Sequence, residues 1–101
     1  MNHNSLQIGS ILYASWGYDQ TNIDFYEVTK LIGRTTLELR ELGQELMSDG
    51  FGLSGKTKPV PGNYISQPFT KRINIHGSVK IDEVSRASIW SGEALYYSSY
   101  A

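Results

Sequence analysis

Few residues in this 101-residue chain have the type and spacing needed for chemistry. The two histidines, His3 and His76, stand far apart, and neither belongs to a His-x-His or His-x-x-Glu pattern, so no metal site is predicted. Asp19 and Asp24 straddle a loop and the start of a strand. Convergent carboxylates can serve acid–base or metal chemistry, but aspartates in turns more commonly accept backbone N–H bonds, and that structural role is the one expected. Ser85 and Ser88 have no histidine near them, and Gly-x-Ser-x-Gly is absent. The string Gly50-Phe51-Gly52-Leu53-Ser54-Gly55-Lys56-Thr57 matches the bare pattern of a phosphate loop. Such a loop must leave a buried strand and open a helix, so that backbone amides face the phosphates. Lys58-Pro59-Val60-Pro61-Gly62 cannot continue as a helix, and Leu46 to Asp49 is a poor strand. No catalytic residue, cofactor or metal is therefore predicted, and the chain reads as non-enzymatic.

Binding is better supported. Ser15 to Tyr26 runs through a tryptophan, a glycine, a tyrosine and four small polar side chains into an alternating segment. Loops of this kind are tied down by their own side chains or face a partner. Tyr18, Asp19, Gln20 and Asn22 are the candidate partner-binding residues: the tyrosine as a rigid anchor, the amides and carboxylate as directional contacts. Lys56, Lys58 and Arg72 form a second candidate set, for phosphate or nucleic-acid contact. Nine of the twelve aromatics fall in two clusters, Tyr13 to Tyr26 and Trp90 to Tyr100. Exposed aromatics beside cations would suit a small barrel that binds single-stranded nucleic acid, the alternative reading. Trp16 and Trp90 are both expected to be structural. A small ribonuclease would need an arginine beside a general base, and no spacing singles one out.

The elements that must position these residues are strands. Gly9 to Ala14 has the content of a strand, with Ile11 and Tyr13 on one face and Leu12 and Ala14 on the other, which predicts a strand covered at least in part on both sides. In Ile23 to Thr29, Ile23 and Phe25 are expected to point inward. Thr35 to Leu42 alternates Leu37 and Leu39 with Glu38 and Arg40. Helical spacing of Leu39, Leu42 and Leu46 is the rival, which the Thr pair and Gly43 disfavour. Residues 48–68 hold all three prolines and four of the ten glycines, and read as one long loop. Phe69 to Ile75 and Val79 to Asp82 make a hairpin around His76-Gly77-Ser78. Val84 to Trp90 and Glu93 to Tyr100 add one or two strands. The expectation is a single all-β domain over residues 1–101, with residues 1–5 a polar tail. Five or six strands would form a small SH3-like barrel or a strongly bent antiparallel sheet.

Charge and composition set outer limits. The net charge of −1 conceals three cations against seven acids in residues 1–50, and six cations against three acids in residues 51–101. The simplest consequence is two halves lying side by side and neutralising each other. With no cysteine, disulfides and thiolate metal sites are excluded. No apolar run reaches membrane-spanning length and no basic–apolar leader opens the chain, so a cytoplasmic protein without membrane contact is expected.

The run Ser15-Trp16-Gly17-Tyr18-Asp19-Gln20-Thr21-Asn22-Ile23-Asp24-Phe25-Tyr26 resembles a signature of small uncharacterised proteins of phages and other mobile elements. The Leu39-Arg40-Glu41 strand, the Trp90-Ser91-Gly92 turn and the tail Tyr96-Tyr97-Ser98-Ser99-Tyr100 are similar to later features of those chains. The resemblance implies a genetic context more than a mechanism. Small accessory proteins of mobile elements often act by binding, so it implies a host protein as partner and an anti-defence role, of anti-CRISPR type for example.

Overall fold

The computed structural model describes residues 6–17, 20–48, 54–73, 78–82 and 85–98. Eight strands form one antiparallel sheet: β1 (Ile11–Trp16), β2 (Asn22–Ile32), β3 (Thr36–Ser48), β4 (Ser54–Tyr64), β5 (Phe69–Arg72), β6 (Val79–Lys80), β7 (Arg86–Ile89) and β8 (Leu95–Ser98). The spatial order is β6-β7-β1-β2-β3-β4-β8, with β5 also on β3. The all-β, bent-sheet expectation holds. Among the described residues the count is eight strands rather than five or six, because several are only two to four residues long.

The central hairpin is β2–β3, turning at Gly33 to Thr35 and registered as Phe25↔Leu42, Val28↔Leu39 and Ile32↔Thr36. Its register shifts between Val28 and Lys30. Thr29 Oγ1 ties this irregularity across the hairpin by donating to Glu38 Oε2 at 2.8 Å.

Alternation along β1 and β2 sends apolar side chains to both faces of the sheet. On one face, Leu12, Ala14, Tyr26, Val28, Leu37 and Leu39 pack with Val79 and Ala87. On the other, Ile23, Phe25 and Leu42 are buried, with Ile11, Tyr13, Trp90, Leu95 and Tyr97 against them. Ile23 and Phe25 point inward as expected, but Tyr26 and Val28 do so too, into the opposite core.

A sheet with two apolar faces needs two covers, and it supplies both by curling in opposite directions. The first half of β3 pairs with β5, Ile73 bridges to Val79, and β6 and β7 lead back to β1. The second half of β3 pairs with β4, β4 with β8, and Ser98 bridges to Thr21 just ahead of β2. Each curl meets itself through one isolated bridge, so the sheet is bent and is not a closed barrel.

The long loop expected over residues 48–68 is corrected. β3 reaches Ser48, and β4 begins at Ser54; residues 49–53 lie outside the described residues. β4 and β5 lie end to end along the same edge of β3. Between them the register jumps from Gln44↔Pro59 to Leu42↔Tyr64, so Val60 to Asn63 bulge out of the ladder. The Pro and Gly residues here punctuate a bulged strand, a position where proline is tolerated. Gly55 sits against the β3 backbone, where a Cβ would collide with the Met47 carbonyl oxygen.

Candidate functional site at the end of the β1–β2 hairpin

Positions 12, 14 and 16 of β1, and 22, 24 and 26 of β2, face the first core. As the hairpin runs past the mouth of that core, its apolar residues give way to Trp16 and Asp24. Register sets Ala14 opposite Asp24 and Trp16 opposite Asn22. The Trp16 indole N–H donates to Asp24 Oδ2 at 2.8 Å, across the hairpin. With its polar atom satisfied, the ring stays 42% exposed. Trp16 is thus a held surface indole, which corrects the expectation that it is structural. Gly17 follows with φ +128°, where any Cβ would collide with the Gln20 carbonyl oxygen. Only glycine lets the chain fold back so closely beside the indole.

Trp90 meets the expectation made of it. Its ring packs edge-on against Phe25, centroids 5.8 Å apart, and its N–H donates to the Glu93 carbonyl at 2.8 Å.

Two concavities share Trp16 and Asp24 as a wall. The first, of about 200 Å³, is completed by Tyr26, Asp82 and Ser85. Tyr26 is braced edge-on by Phe69. Asp82 Oδ1 accepts from both the backbone N–H and the hydroxyl of Ser85, each at 3.0 Å. Lys71 Nζ donates to the Ile81 carbonyl at 2.8 Å, fixing the approach to Asp82. Burial, and then the charges of Asp24, Glu41 and Asp82, push the Tyr26 phenol upward, so it stays neutral. Burial and Asp24 also raise the Glu41 carboxyl above its ordinary value. The mouth of the first curl is therefore acidic and aromatic. Among the described residues no group of three His, Asp or Glu could hold a metal ion.

The second concavity, of about 330 Å³, is lined by Thr21, Asn22, Gln44, Leu46 and Tyr97 in addition to the shared wall. Gln44 is engaged at both amide atoms: its Nε2 donates to the Ile23 carbonyl at 2.7 Å, and its Oε1 accepts from Thr57 Oγ1 at 2.6 Å. Asn22 Nδ2 is buried without a hydrogen-bond partner.

Of the residues named from sequence, Asn22 lines this second concavity and Gln20 is half-buried at the turn. Tyr18 and Asp19 lie outside the described residues. Lys56 and Lys58 are exposed on β4, and Lys58 pairs with Glu45 at 3.9 Å. Arg72 is exposed on β5. Lys56 stands opposite Met47 and Arg72 opposite Thr36, so the length of β3, roughly 35 Å at strand rise, separates them. They do not form one phosphate site. Ser54 to Thr57, the end of the phosphate-loop pattern, starts a strand and not a helix. Sequence reasoning missed Tyr26, Asp82 and Ser85. Trp16 and Asp24 were within its reach, since a tight hairpin must place them on one face.

No helix long and apolar enough to cross a membrane is present among the described residues. Comparison with protein families, curated proteins and solved structures found no match to this chain.

Proposed function

We propose that this chain is a non-enzymatic accessory protein of phage or mobile-element type, which docks on a macromolecular partner and blocks it. The partner class that this context favours is a host defence effector, such as a CRISPR nuclease complex. One observation supports docking above the rest: Trp16 is hydrogen-bonded to Asp24 yet leaves 42% of its surface in solvent, between two concavities. An exposed tryptophan with fixed geometry is the type of residue that dominates binding energy at interfaces. Tyr18, Asp19, Gln20 and Asn22 follow it directly in the chain and belong to the same proposed surface.

The test is affinity capture from host-cell lysate, with and without nuclease treatment. The reading predicts a protein partner that survives nuclease, and that Tyr18→Ala weakens its capture without lowering the melting temperature. Capture that vanishes with nuclease would overturn it in favour of a nucleic-acid-binding module using Lys56, Lys58 and Arg72.

A further inference from the structure

We infer that the cleft between Trp16, Asp24, Tyr26, Asp82 and Ser85 receives a single arginine side chain from the partner. This inference rests on the docking reading and names the chemistry that would recognise it. The cleft has one aromatic wall and an anionic rim. Trp16 lines the cleft with 42% of its surface exposed, and its edge N–H is already bonded to Asp24. A cation over an indole face is attracted by the ring quadrupole, and a planar guanidinium stacks there better than an ammonium does.

The counter-charges are in place. Asp24 spends Oδ2 on the indole, which leaves Oδ1 for a further donor. Asp82 is held in position by Ser85. Glu41 lies next to Asp24 on the same face, opposite Tyr26. Among the described residues, neither Asp24 nor Glu41 takes part in an ion pair. Tyr26, with its neutral hydroxyl, lines the cleft beside Asp24. Three carboxylates outweigh the one ammonium nearby, Lys71 held on the Ile81 carbonyl, so an anion is disfavoured, and a neutral apolar group would strip water from them without compensation. A volume of about 200 Å³ suits one side-chain head group and not a nucleotide.

The probe is a blocked Gly-Arg-Gly tripeptide, titrated while the two indole N–H resonances are followed by NMR. The control is the citrulline tripeptide, which keeps the shape and loses the charge. The expected result is a saturable shift of the Trp16 resonance with the arginine peptide, at least tenfold weaker binding of the citrulline peptide, and a still Trp90 resonance. Asp24→Asn should remove the response; Asp82→Asn, which leaves the Trp16 hydrogen bond intact, should weaken it at least severalfold. Equal shifts with both peptides, or none with either, would overturn the inference. Loss of lysate capture in Trp16→Ala with no peptide response would retain docking and reject arginine. A peptide response with undiminished capture would do the reverse.

Discussion

Each tryptophan N–H is held by a single acceptor, Asp24 Oδ2 for Trp16 and the Glu93 carbonyl for Trp90. The rings differ in what they touch. Trp90 covers Phe25 and the second core, so Trp90→Ala should cost about 3 kcal/mol, near the low end for a tryptophan because the ring is only half-buried. Trp16→Ala should cost about 0.5 kcal/mol, as for other surface positions. Urea denaturation of the two variants checks the contrast. Glu41 provides a prediction of pH dependence. Its folded-state pKa lies above the ordinary 4.5, so its contribution to stability is present while it is protonated and is lost as pH rises through the folded value. At pH 7 its charge opposes folding. Glu41→Gln should therefore raise the melting temperature at pH 7, with the gain shrinking toward pH 4; equal gains at both would contradict this assignment. The residue types at the site were visible in the sequence, but their partnership was not. Asp82 and Ser85 reach the cleft only because the first curl brings them beside Tyr26 of β2, and no local spacing encodes that.

At the scale of elements, β4 shows where reading by hydrophobicity fails. Its inward positions are Gly55, Thr57 and Pro59, while Lys56, Lys58 and Val60 face outward. The alternation is present, but small and polar residues occupy the buried side. Thr57 is fully buried because its hydroxyl is satisfied by Gln44, which reaches on to the Ile23 carbonyl and ties three strands together. Thr57→Val keeps the shape and deprives Gln44 of its donor, so a loss of about 1–2 kcal/mol is expected in denaturant unfolding. Gly55→Ala should cost about 1–3 kcal/mol, because β4 must move away from the Met47 carbonyl. Faster hydrogen exchange along β4 would accompany that loss. By contrast, β1, β2 and the first half of β3 were legible as strands, since their inward positions are mostly Leu, Ile, Phe and Val, with Ala14 and Tyr26 among them. The bulge at Val60 to Asn63 was not, because proline and glycine mark a bulge and a loop alike.

At the scale of the whole molecule, two cores share β1, β2 and β3 as a common wall. Phe25 and Tyr26 are neighbours in the chain and are buried in different cores. Losing either core strips the same three strands, so unfolding should be a single cooperative event. Trp90 fluorescence, in a Trp16→Phe background, reports the second core, while far-UV circular dichroism reports the whole sheet. Their thermal transitions should coincide, and two separated midpoints would contradict the shared wall. The same architecture leaves Trp16 standing beyond the first core and held by Asp24, while the bridge from Thr21 to Ser98, on the other side of the turn, serves the second curl. The proposed binding by Trp16 is thus separate from stability. The measurement that tests it most directly is host-partner capture by Trp16→Ala beside its melting temperature. Capture should fall at least tenfold, with a melting temperature within about 3 °C of the parent, as a change of about 0.5 kcal/mol allows. Undiminished capture, or a collapsed melting temperature, would contradict it.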